Sequence, residues 1–226
     1  MANCGILTIS AYLLAGATVV FSGQTAAKPL SAKYTIPEGY HRVAKEYGVP
    51  AEVLYLMSLV ESSRPLPQGE RPWPWTLNVA GKGYQYNTKG EAYQALLSFM
   101  RDFPLRRIDV GIAQVNLGWN GAFFHSYMEA LDPYTNLRAS AQILRHCYDI
   151  NPGSWLQAAG CYHHPAGGKH ARIYRDIVKS KLAMLDAALP GPITSYHFSH
   201  PVMISESPST EETALLWVVP QTQGGH

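Results

Sequence analysis

Over residues 51–63 the apolar side chains Val53, Leu54, Leu56, Met57, Leu59 and Val60 fall on nearly every side of a 3.6-residue helix. Little polar face is left, so this helix belongs in a core. Pro50 stands at its start, and Pro65 disfavours helical geometry at Arg64 and stops it. Glu61 therefore lies in the last turn of a buried helix. Before it, Pro37 opens a shorter helix that runs through Tyr47 and ends at Gly48.

The pattern then changes to alternation. Trp75, Leu77 and Val79 alternate with Thr76 and Asn78, and Tyr84 and Tyr86 follow a Gly81-Lys82-Gly83 turn, which predicts a hairpin. Thr88 and Glu91 form a capping box for a helix reaching about Met100. Ile108, Val110 and Ile112 alternate again, predicting a third short strand that ends near Gln114. Helical spacing returns in Leu137, Ala141, Leu144, Cys147 and Tyr148. Asn151-Pro152-Gly153 makes a turn, Ser154 caps a segment from Trp155 to Tyr162, and His164-Pro165 to Gly168 breaks it. A last helix over 171–188 is expected to bury Ile173, Ile177, Val178, Leu182 and Leu185. The sum is an α+β domain, predominantly helical, with one small antiparallel sheet.

Composition supports a folded chain: 46% of residues are hydrophobic and 15% charged. A net charge of +2, without a lysine- or arginine-rich tail, argues against a nucleic-acid partner. The first 21 residues carry no charged side chain, and Ile6 to Phe21 is almost unbroken apolar sequence. That run is short for a membrane span and suits a secretory signal over 1–27, cleaved after Ser22 or Ala27, with an uncleaved anchor or a buried first helix as alternatives. The main domain then covers 30–188, and 189–226, rich in Pro, Ser, Thr and Gly, reads as a flexible tail. Removing the leader takes Cys4 with it. Cys147 and Cys161 remain as an even pair, which an oxidising compartment such as the periplasm would join as a disulfide, with two buried thiols as the alternative.

Cleaving a glycosidic bond needs a carboxyl group still protonated near neutral pH. Burial disfavours the charged form, and the partially negative carbonyl end of a helix pushes the same way. Glu61, with six apolar residues among the eight before it, fits both conditions. The alternative is an ordinary helix-end glutamate pointing into water. Three segments weigh against that alternative: Val60-Glu61-Ser62-Ser63, then Asp109-Val110-Gly111-Ile112-Ala113-Gln114-Val115-Asn116, then Ala158-Ala159-Gly160-Cys161-Tyr162-His163-His164-Pro165. In this order and spacing the chain resembles the soluble lytic transglycosylase family, in particular the branch associated with conjugation and type IV secretion. The resemblance spans about residues 37–188.

The resemblance implies a lysozyme-like fold and a role for each matching residue. Glu61 would be the single catalytic acid and base, with Ser62 its helix-end neighbour. Gln114 would line a saccharide cleft, Gly111 would let the backbone approach closely, and Asn116 would add a polar contact. Tyr162 would place its hydroxyl near Glu61. The chain departs from the family where His163 replaces an asparagine, His164-Pro165 replaces Ala-Gly, and Ala113 replaces a methionine. His163 is nonetheless retained as a substrate-binding candidate, since an imidazole still donates a hydrogen bond. A Cys147–Cys161 bridge would pin the Tyr162 segment to the preceding helix.

The activity implied is cleavage between N-acetylmuramic acid and N-acetylglucosamine with formation of a 1,6-anhydro ring, without metal or cofactor. The partners implied are peptidoglycan strands and a secretion or conjugation machine, with no stable membrane span after processing. A hydrolysing muramidase of the same fold and an inactive glycan-binding scaffold are the nearest alternatives. A zinc module built from Cys147, Cys161, His163, His164 and His170 lacks any paired ligand spacing.

Overall fold

The apolar run ahead of Glu61 folds as helix α2 (Ala51–Ser62), in which every residue from Ala51 to Leu59 is buried. The computed structural model describes residues 36–186 apart from Gln68; the expected leader at 1–27 and tail at 189–226 lie outside the described residues. Helix α1 (Glu38–Tyr47) begins after Pro37 and ends at left-handed Gly48. Pro65 stops α2 as its steric restriction requires, but the chain then does something the pattern did not announce. It forms a hairpin of β1 (Ser63–Leu66) and β2 (Gly69–Pro72), paired from Ser63↔Pro72 to Leu66↔Gly69.

A second, separate sheet carries the expected hairpin as β3 (Thr76–Val79) and β4 (Lys82–Gln85). Thr88 and Glu91 form the capping box of α3 (Lys89–Asp102). Strand β5 (Ile108–Val110) pairs with β3, and after a turn at Gly111–Gln114 the chain returns as β6 (Val115–Asn116). The strand order is β4-β3-β5-β6, all antiparallel. The fold is α+β and predominantly helical, as expected, but with two small antiparallel sheets instead of one. The third strand is also shorter than expected, because Gly111 turns the chain before Ile112 can extend it.

Two four-residue helices, α4 (Leu117–Asn120) and α5 (Tyr127–Ala130), lead into the long α6 (Pro133–Ile150). Asp132 caps α6 and Pro133 starts it. Helix α7 (Trp155–His163), capped by Ser154, and α8 (Gly168–Asp186) complete the described residues. Helices α1, α7 and α8 pack on α2, and α6 packs on α1 and α7, around a core that includes Tyr40, Leu54, Met57, Leu137, Leu144 and Val178. A second core, under the four-stranded sheet, joins Leu77, Leu96, Ile108, Val110 and Leu131. Among the described residues no helix is long and apolar enough to cross a membrane.

The register of α8 differs from the periodic reading. Val178 and Leu185 are buried, but Ile173 and Ile177 are 48% and 42% exposed, and Tyr174 takes the inward position. Apolar residues stand at 173 and 174 and again at 177 and 178, so two adjacent stripes were available. Contact with α7 selects one. At Gly160 a Cβ would come within 2.9 Å of the Ala171 carbonyl oxygen, so the two helices meet at a spot where only glycine fits.

Candidate active site

The end of α2 is tied down by polar bonds because the last helical carbonyls have no partner within the helix. Gln85, on β4, donates its amide to the Ser62 and Ser63 carbonyls at 3.2 and 3.0 Å. The Ser62 hydroxyl, only 2% exposed, donates to the Ile112 carbonyl at 2.6 Å and accepts from the Trp73 amide at 3.2 Å. Glu61 stands one residue before this fastened end. Its side chain is 17% exposed, so the carboxyl sits in a wall instead of reaching into solvent.

The same bonds draw three distant segments together. Ser62 meets Ile112 across 50 residues, and the Tyr162 hydroxyl donates to the Ala113 carbonyl at 2.7 Å across 49. Fully buried Asn136 on α6 accepts from the Ala113 amide at 3.0 Å and donates to the Val110 and Ala130 carbonyls at 2.9 Å each. Both the amide and the carbonyl of Ala113, and the Ile112 carbonyl, are therefore claimed by side chains. Gly111 has φ +82°, and a Cβ there would collide with the Asn136 amide and lie 2.9 Å from the Ala130 oxygen. Glycine is required on both counts. Gln114 has φ +50°, a left-handed conformation uncommon for a residue with a side chain, and its amide donates back to Gly111 and across to Thr76. Strain of this kind persists only where the surroundings enforce it.

A cleft of about 460 Å³ opens between the end of α2 and the face of β3 and β4. Glu61, Ser62, Thr76, Asn78, Tyr84, Gln85 and Gln114 are among its lining residues. Glu61 is the one carboxylic acid among them. The sequence-predicted Glu61, Ser62 and Gln114 thus share one cleft. Tyr162 stands behind it, its hydroxyl engaged by Ala113, with burial first and then the charge of Glu61 pushing the phenol well above its ordinary range. Asn116 is placed differently. Its side chain caps α4 by accepting from the Gly118 and Trp119 amides, and donates to Arg106 and, at 2.7 Å, to Asp109. It holds the loop and does not line the cleft.

On the far side of Glu61, the His163 Nδ1 lies 3.6 Å from Oε1, an ion-pair distance just beyond a formed hydrogen bond. Proximity to the Glu61 carboxylate raises the imidazole above its ordinary pKa, outweighing the opposing effect of burial. Asp109 is also raised, first by burial and further by the charge of Glu61, while its bond from Asn116 opposes the shift. Tyr174, buried on α8, turns its hydroxyl toward Glu61 without the geometry of a formed bond; burial foremost, and that carboxylate, push the phenol well up.

Cys147 and Cys161 are joined as a disulfide between α6 and α7, with Cα atoms 5.8 Å apart. They cannot then serve as thiolate ligands of zinc. Sequence reasoning missed Tyr174 and the β3–β4 lining. The paired apolar positions at 173 and 174 were the one signal for the former, and for the latter only packing decides which strand face meets α2. No family model, curated protein or solved structure matches this chain, so the case for its function rests on the site.

Proposed function

We propose that this protein is a lytic transglycosylase with a lysozyme-like domain, cleaving the β-1,4 bond between N-acetylmuramic acid and N-acetylglucosamine in peptidoglycan. The observation that carries the reading is a cleft wall with a single carboxylic acid, Glu61, set where the three motif segments converge. Glycosidases that hydrolyse with inversion or retention ordinarily place two carboxyl groups across the scissile bond. Asp109 is occupied by Asn116 and is not part of the lining. With one acid, an internal nucleophile closes the mechanism.

Protonated Glu61 gives its proton to the bridging oxygen as the bond from the muramic C1 breaks. The resulting carboxylate takes the proton of the muramic C6 hydroxyl as its oxygen bonds to C1, leaving a 1,6-anhydro ring and restoring protonated Glu61. The substrate's N-acetyl group stabilises the positive charge between the steps. An attacking group already attached to the substrate supplies the proximity that a positioned water would otherwise need. The chemistry calls for no metal or cofactor. Export to the periplasm, with local opening of the wall for a secretion or conjugation apparatus, completes the reading.

The test is digestion of purified peptidoglycan by the wild type and by Glu61→Gln, with products resolved by mass. Anhydro-muropeptides are expected from the wild type, and the variant should lose about 10²-fold or more in rate while keeping its fold. Reducing-end products would mark hydrolysis instead. Equal rates from both proteins would remove Glu61 from its role.

A further inference from the structure

His163 stands beside Glu61 at the end of α7 and is stacked face to face on Tyr174, with ring centroids 4.3 Å apart and planes 6° from parallel. The stack fixes the imidazole plane, so its Nδ1 is presented to the Glu61 carboxyl by packing and not by chance rotation. The side chain is still 43% exposed, which leaves it open to proton exchange with solvent. Nothing in the acid and base cycle above uses it.

We propose that His163 is a positioning residue that holds Glu61 and shares one transferable proton with it, so that the pair, and not Glu61 alone, sets the alkaline limit of the reaction. This rests on the transglycosylase reading. The pair holds one proton, either as an imidazolium facing a carboxylate or as a neutral imidazole facing a carboxylic acid. When a glycan strand fills the cleft and excludes water, the charged pair loses hydration and the neutral pair is favoured, with the proton on Glu61. Glu61 passes that proton to the leaving oxygen and regains one from the C6 hydroxyl; His163 stays neutral through both steps, so the proton balance closes. Above the pH at which His163 loses its proton, the resting pair has none to give.

The groups around the imidazole are consistent with this. Helix α2 contributes Glu61, the four-stranded sheet contributes Asp109, α8 contributes the Tyr174 phenol, and α6 meets α7 at the Cys147–Cys161 bridge. Both carboxylates favour the protonated ring, and the hydrogen-bonding proximity of Glu61 is the larger cause of its raised pKa.

The experiment uses the full chain. Initial rates on peptidoglycan are measured across pH for the wild type, His163→Asn and His163→Gln, which keep a hydrogen-bond donor but carry no titratable proton, with folding checked by circular dichroism. The alkaline limb should move toward acid by about one pH unit or more in both variants, a shift of the size one neighbouring charge produces. Profiles that superimpose on the wild type would overturn the proposal. A second arm follows the His163 ring proton by NMR titration in the wild type and in Glu61→Gln. The midpoint should fall in the variant, and an unchanged midpoint would also overturn the pairing. Absence of cleavage by the wild type at every pH would instead defeat the transglycosylase reading, and the proton-sharing role with it, while the NMR arm still reports whether the two side chains are coupled.

Discussion

Residues around Glu61 do two kinds of work, and the difference is visible in what each polar atom touches. Ser62, Asn136 and Asn116 spend their hydrogen bonds on backbone groups or a neighbouring carboxylate, whereas Glu61 and His163 face each other at 3.6 Å. That second pair makes stability depend on pH in a definite direction. His163 has a folded-state pKa raised above the unfolded value near 6.5, so the folded protein binds the extra proton more tightly. Its stabilisation is fully present below about pH 6.5 and is lost as pH rises through the folded-state value. The melting temperature of His163→Asn should therefore trail the wild type most below about pH 6.5, with the gap narrowing toward alkaline pH. A gap that widens with pH would contradict this sign. Asp109 acts in the same sense, because its carboxyl is also raised by folding and any stability it lends is present below its unfolded value.

At the scale of elements, the placement of Tyr162 and His163 depends on how α7 is fastened. One end is capped by Ser154, the flank is bridged by Cys147–Cys161 to α6, and Gly160 brings α8 into close contact. A disulfide closing a loop of 14 residues stabilises mainly by restricting the unfolded chain, by roughly 3 kcal/mol. Replacing both cysteines with alanine should lower the unfolding free energy by about that amount in urea. The loss should appear in activity as well, because the segment carrying His163 then loses its covalent tie to α6. Unchanged denaturation midpoints would show that packing alone holds α7.

At the scale of the whole molecule, the described residues build two apolar cores, one around α2 and one under the four-stranded sheet, with the cleft along their boundary. Phe124 packs against both, and Asn136 links them by reaching from α6 to the β5–β6 turn. Removing that amide leaves the Ala113 amide and two carbonyls buried without their partner, at a cost of about 1–3 kcal/mol for a group so exposed to desolvation. Asn136→Ala should destabilise the fold by about 3 kcal/mol in urea denaturation, and it should also weaken cleavage, since Ala113 positions Tyr162 and precedes Gln114. A variant as stable as wild type would show that the turn is held without this side chain.

Much of this was legible in the chain itself. The proline before and after α2, the Thr88–Glu91 capping box and the Ser154 cap are local devices, and local steric and hydrogen-bonding rules suffice to read them. So is the apolar wrap of α2, which demands a core on every side and so leaves Glu61 at its edge. What the chain could not disclose depends on how separate elements pack against one another. The β1–β2 hairpin follows from docking against the end of α2, since its short segments have little apolar alternation of their own. The choice of Tyr174 over Ile173 as the inward residue follows from the close approach at Gly160, and the commitment of Asn116 to a helix cap follows from where α4 begins. The meeting of Glu61 with His163 is of the same kind: sequence supplies the two groups, but only the packing of α7 and α8 against α2 sets the 3.6 Å between them.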